Sequence, residues 1–339
     1  MSSLSQHTPT HRMPPFRASG DANAQDGAQK WKVLCVCLCF LILCALDLLT
    51  GNGLNLPSEV ILWKLRLPRM LTAAVAGAAL SLSGAQMQAI FRNPLADPHL
   101  MGVSGGAGLG AAIAAWTVTG VSAWAGGLTM VSAAFAGALL TGFFIVAVAA
   151  RTQSTTTLLL VGVMLGFVLS ALSSILQYAA GEESLKLFYS WMAGSFSGVS
   201  YTGLVFMTVM LLAGLALALS QMKALDLILF GDTFAAFSGA PLRSLRFRVM
   251  LGCALMTGAV TAFCGPLGFV GIAAPHVVRR LTGTSAHKTV LPGSMLAGAC
   301  LALAGDILSH IGPTPLPVGS TLALIGIPLI LALLWRNRL

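Results

Sequence analysis

The sequence predicts an all-α polytopic membrane protein of about ten transmembrane helices, with both termini on the cytoplasmic side. Three observations lead there. Of 339 residues, 56% are hydrophobic and only 9% charged, against roughly 25% charged in soluble domains, and the mean hydropathy is +0.86. The apolar residues gather in runs of about 20, the length a helix needs to cross a bilayer core. Cations are divided unevenly between the segments that join those runs. A water-soluble globule of this length has far more surface than 10 acids and 19 bases can solvate, whereas lipid accepts apolar side chains on the outside.

Residues 1–30 are rich in Ser, His, Pro, Arg and Asp and poor in aliphatic residues, so burial cannot offset the entropy of ordering them. They are expected to be a disordered cytoplasmic tail. The first apolar run starts near Trp31, is too long for a cleavable signal and carries no Ala-x-Ala exit. Spans are expected at about 31–50, 70–91, 99–117, 124–150, 157–180, 200–220, 247–264, 268–282, 289–308 and 317–335, making a ten-helix domain over 31–339. The 268–282 segment is short and contains Pro275, which suits a partial span. With the N-terminus inside, only Lys64, Arg66, Arg69 and Lys186 of the 19 lysines and arginines fall outside, as the positive-inside rule requires. The net charge of +9 is thereby accounted for by topology, with no need of nucleic acid.

Within the spans, Ala73–Ala79 and Gly105–Gly108 are runs of small residues that let helix backbones approach closely. A phosphate-binding loop is the sharper reading of the glycines, but no strand precedes them and the spacing misses Gly-x-Gly-x-x-Gly. Cys35, Cys37, Cys39 and Cys44 share one apolar segment; alternate residues point to different helix faces, so packing is favoured over a metal site. No histidines fall at ligand spacing. No catalytic group of acids, or of Ser, His and Asp, is legible, and no Gly-Lys dipeptide exists to form a phosphate-cradling ATP loop. Asp47 and Asp306 are the intramembrane acids, both near an outer helix end, whereas ion-driven carriers place ionisable groups near the midplane. A secondary carrier is disfavoured on this ground and kept as the alternative, beside a membrane-embedded enzyme or scaffold. The large inner loop at 221–246 is either a connector or a short surface helix offered to a cytosolic partner.

Several ordered blocks then carry a resemblance. They are Arg66-Leu67-Pro68-Arg69; Gly77-Ala78-Ala79-Leu80-Ser81-Leu82-Ser83-Gly84; Arg92-Asn93-Pro94-Leu95-Ala96-Asp97-Pro98; Gly268 through Arg280; and Pro317-Val318-Gly319. From about residue 60 onward the chain resembles the iron-chelate, haem and vitamin B12 permease family of type II ABC importers, FecCD-like transmembrane subunits. The resemblance implies a homodimer in the bacterial inner membrane, two cytosolic ATPase subunits that hold the ATP and magnesium, and a periplasmic binding protein. No cofactor is implied for this chain. Haem is the cargo expected first, with vitamin B12 or a ferric siderophore as alternatives, because a lining of small and aliphatic residues suits a large, flat, mostly apolar solute.

The resemblance also assigns residues. Gly231, Asp232, Thr233, Phe237, Ser238, Gly239 and Ala240 look like the segment that couples to the ATPase. Arg66 and Arg69 look like outer-mouth arginines that meet carboxylates of the binding protein, with interfacial anchoring as the alternative. Thr155 and Thr156 resemble a small polar gate, with helix capping as the alternative. Two departures stand out. The family commonly has an Arg four residues after the ninth-span Asp and a Glu before Pro-Val-Gly, where this chain has His310 and Leu316. His310 is therefore expected to dock the binding protein in a pH-sensitive way. A faint inverted repeat is also legible between Gly84…Pro94-Leu95…Pro98 and Gly265-Pro266-Leu267…Pro275.

Overall fold

The computed structural model describes residues 19–50, 58–117, 123–152, 154–312 and 314–335; residues 1–18 of the expected tail lie outside them. Among the described residues the chain is helical, without strands. The helices are α1 (Ser19–Leu49), α2 (Leu67–Phe91), α3 (Val103–Thr117), α4 (Ala123–Arg151), α5 (Thr155–Tyr178), α6 (Glu182–Ala193), α7 (Tyr201–Ser220), α8 (Met222–Ile228), α9 (Asp232–Phe237), α10 (Leu242–Cys264), α11 (Val270–Thr282), α12 (His287–Ser309) and α13 (Val318–Trp335). A short turn of helix (Glu59–Ile61) and one π turn (Leu62–Arg66) lead into α2. The backbone of residues 19–30 continues α1.

Local chemistry sets the helix starts. Pro68 occupies the first turn of α2, where a missing N–H does no harm. The Ser154 hydroxyl accepts from Thr157 N (3.2 Å) and caps α5, and the Ser200 hydroxyl accepts from Gly203 N (3.2 Å) and caps α7.

Among the described residues, six helices are long and apolar enough to cross a membrane: Glu59–Phe91, Gly127–Arg151, Thr155–Tyr178, Tyr201–Ser220, Leu242–Cys264 and His287–Ser309. Leu34–Leu49 and Val318–Leu333 are shorter apolar helices. The remaining two expected spans are α3, with 15 residues, and α11, with 13. At 1.5 Å per residue they reach about 22 and 20 Å, short of a core of about 30 Å. Each follows a break in the α-helical backbone, at 92–102 and 265–269, that hydropathy alone does not register. Hydropathy also overlooks α6, whose Glu182, Glu183 and Lys186 lower its mean apolarity.

The order of long helix, break, short helix, then two further helices occurs twice, as α2 to α5 and α10 to α13. Asp232 meets both Arg92, which ends α2, and Arg246, near the start of α10, so these equivalent helices run in opposite senses. The expected inverted repeat is present in the element order. The two breaks meet: His99 Nε2 lies 2.6 Å from the Leu267 carbonyl oxygen. That oxygen can only accept, so Nε2 carries the proton and Nδ1 accepts from the Ser104 hydroxyl. Backbone away from helix at this depth persists because protein groups satisfy it.

At the centre, α2 is buried along most of its length and packs on α12, α11 and α10. A methyl group on Gly77 would strike the Gly298 carbonyl, and one on Gly84 the backbone of Gly271. The small-residue runs therefore serve helix packing. By contrast, α5 buries only Leu158, Gly162 and Ser173.

Candidate functional site

Two polar clusters lie at opposite ends of the bundle. The inner end, named for its basic residues, is built on α8 and α9. Leu225 and Ile228 of α8 are fully buried and seat this segment on the core. Gly231 turns the chain at φ 110°, a value that L side chains rarely adopt, and Asp232 opens α9. Its Oδ2 accepts from Arg246 Nη2 at 2.9 Å, and Arg92 approaches Oδ1 at 4.0 Å. Arg246 is buried, so the carboxylate is drawn to a fixed cation. Asp226 Oδ1 accepts from both the backbone N (2.8 Å) and the ring Nδ1 (2.6 Å) of His287.

With its acids turned inward, the segment presents an aromatic outer face. Phe230, Phe234 and Phe237 are 74%, 51% and 90% exposed, and the first two rings stand 5.5 Å apart. Thr233, Ser238 and Gly239 are exposed, while Gly231, Asp232 and Ala240 are partly covered. A cavity of about 630 Å³ opens beside this face, lined by Ala150, Pro241, Leu242, Arg243, Ser244 and Phe247. The sequence located the segment but did not reveal Arg92, Asp226, Arg246 or His287 as its anchors, because each pairing spans helices distant in sequence.

At the outer end, Arg69 is only 7% exposed. Its Nε lies 2.9 Å from Asp306 Oδ2 and its Nη2 3.6 Å from Asp47 Oδ1. Nη2 also donates to the carbonyls of Asp47 (3.1 Å) and Thr50 (3.2 Å). Two buried carboxylates and the end of α1 thus hold the guanidinium that was expected to dock a partner. Arg66 Nη1 donates to the carbonyls of Leu48 (2.8 Å) and Leu49 (3.1 Å), which helix geometry leaves without intrahelical partners. Arg66 is partly exposed and lines a cavity of about 380 Å³ with Lys64, Arg69, Ser197 and Ser200.

His310 also faces inward. Its Nδ1 lies 2.9 Å from the Asp306 carbonyl oxygen and 2.7 Å from the Ser309 hydroxyl, and its side chain is 13% exposed. Burial pushes its pKa below the ordinary histidine value and Arg69 adds to this, against the hydrogen bond to Asp306 and the charge of Asp47. The ring expected to dock a partner is turned toward Asp306 within this chain.

Thr155 is partly exposed and Thr156 exposed at the inner start of α5. Ser154 supplies the cap, so capping does not account for these two threonines. No cluster of three or more metal-ligating His, Cys, Asp or Glu side chains occurs among the described residues.

Apolar helices interrupted in inverted pairs, with an aromatic face on the basic end, define a multi-pass membrane permease. The chain belongs to the FecCD transport family, whose model matches residues 29–336. It is 39% identical over 291 residues to the vitamin B12 import system permease protein BtuC of Klebsiella pneumoniae subsp. pneumoniae, covering 85% of this chain and 86% of that one. Against the protein of the same name from Citrobacter koseri it is 36% identical over 311 residues, covering 90% and 93%. Among solved structures, it is similar to a metal-chelate type ABC transporter in an inward-facing conformation, with a TM-score of 0.78 and 31% identity over 89% of this chain and 98% of that one. PsaBC from Streptococcus pneumoniae, at 17% identity and a TM-score of 0.50, shares the fold. As a permease subunit of an ABC transporter family, the chain is not itself the ATPase.

Proposed function

We propose that two copies of this chain form the membrane path of an ATP-driven importer that carries a tetrapyrrole metal chelate, a corrinoid before haem, from periplasm to cytoplasm across a bacterial inner membrane. The observation that carries this reading is the aromatic face of α9, held out from the bundle by the Asp232–Arg246 contact. Exposed aromatic side chains on the polar end of a membrane protein suit a protein partner, and Tyr, Trp and Phe are enriched at such interfaces. Two cytosolic ATPases are the partners proposed for this face, and a periplasmic binding protein delivers the cargo to the other. Haem led on lining chemistry alone; the vitamin B12 permeases at 36–39% identity move the corrinoid ahead of it.

In this proposal the chain crosses ten times, with α3 and α11 each completed by its adjoining break, and both termini are cytoplasmic. Thr155 and Thr156 border the inner gate. Lys64, Arg66 and Arg69, which line the 380 Å³ outer cavity, offer cations to the binding protein. The test is uptake into proteoliposomes that hold the permease and its ATPase, with binding protein outside and cyanocobalamin or haem supplied in parallel. ATP-dependent uptake of cyanocobalamin is the expected result. Uptake without any ATPase, abolished when the ion gradient collapses, would instead establish a secondary carrier.

A further inference from the structure

One helix has polar fastenings at both of its ends. α12 spans 23 residues, about 34 Å. At its outer end Asp306 holds Arg69 at 2.9 Å, and Arg69 in turn holds the end of α1. At its inner start the N-cap residue is Ala286, which has no side-chain acceptor. A helix start leaves its first N–H groups unpaired and carries a partial positive charge. Here the acceptor comes from another element: Asp226 of α8 takes the backbone N–H of His287 at 2.8 Å and its ring Nδ1–H at 2.6 Å. The His287 side chain is 1% exposed, and its Nε2 has no hydrogen-bond partner among the described residues.

We propose that Asp226 and His287 are positioning residues for transport: the carboxylate of the inner loop caps α12 from outside, so that displacement of α8 and α9 is delivered to α12 and along it to the Arg69 cluster. This rests on the reading of α8 and α9 as the surface that meets the ATPase. A helix capped by its own residue is indifferent to small shifts of a neighbouring loop. A helix with a borrowed cap must either follow the loop or lose the cap. Following is favoured, because α12 lies backbone against backbone on α2 at Gly298 and Gly77, and the pair transmits an axial load without compressing side chains.

The test uses the complete transporter in proteoliposomes, with whichever of cyanocobalamin or haem it takes up, and reads cargo moved per ATP hydrolysed for Asp226→Ala, His287→Ala, the double variant and Asp226→Asn. Asp226→Ala is expected to lower that ratio roughly five-fold, as loss of one cap implies, and His287→Ala, which keeps the capped backbone N–H and loses only the ring contact, to lower it less, with ATP still hydrolysed in both. The double variant falls no further than the worse single. Asp226→Asn, whose Oδ1 still accepts the backbone N–H, recovers most of the ratio. Unchanged ratios, or losses that multiply in the double variant, overturn the proposal. Hydrogen exchange on the unaltered complex gives a reading that needs no variant: amides 287–291 should change protection when ATP binds, and no change there also overturns it. If the unaltered complex moves neither cargo with ATP, the importer reading itself fails and takes this inference with it.

Discussion

Arg69 has two acids to answer to, and removing it leaves both without their cation. Asp47 and Asp306 are fully buried, and stripping one partner from a buried ion pair costs about 3–5 kcal/mol. Arg69→Ala is therefore expected to lower the thermal midpoint of the detergent-solubilised protein sharply, whereas Arg66→Ala has a small effect on that midpoint. His310 gives a pH signature. Its folded pKa lies below its unfolded value, so the stability it contributes is present above about pH 6.5 and declines as pH falls through the folded pKa. The groups facing it are Asp306, Asp47 and Arg69. A His310→Gln variant should lose less midpoint than the parent between about pH 7.5 and 5, measured by thermal unfolding in one buffer series. The sequence exposed both acids as the intramembrane carboxylates and placed Arg69 near them, yet it could not show that they meet. Pairing between residues 69 and 306 is a fact of helix packing, and no local pattern encodes it.

Short elements separate what the sequence can and cannot disclose. The long helices were legible because apolar runs and their lengths are local properties; the short α11 was legible as a partial span from Pro275, whereas the later start of α3 was not, because Leu100 and Met101 of the preceding break extend its apolar run. In α9, Phe237 is nine-tenths exposed and supports nothing in the isolated chain. Phe237→Ala should leave the thermal midpoint within about 0.5 kcal/mol of the parent while weakening co-purification of the ATPase, by on the order of ten-fold for a buried aromatic anchor. Equal recovery of the ATPase with both forms would remove α9 from the interface. In α2, Gly84 faces the backbone of Gly271, which cannot withdraw as a side chain can. Gly84→Val should cost about 1–3 kcal/mol, visible as a lowered midpoint, whereas Gly108→Ala, which meets nothing, should not.

Across the whole molecule, the doubled element order gives α2 and α10 equivalent places and opposite senses, and the Asp232 contacts with Arg92 and Arg246 join the two halves at one end. The faint repeat legible from Gly84, Pro94 and Gly265 was a true sign of this, carried by the residues that interrupt helices. The segment proposed to face the ATPase was marked by family motifs; its fastening to three helices was not legible. Glycine meeting glycine across α2 and α12 has one more implication. Where main chains touch directly, no side chains remain to swivel and accommodate relative sliding, so those two rods behave as a keel. Whatever shape change accompanies a transport cycle must be borne by parts with looser moorings than these two rods.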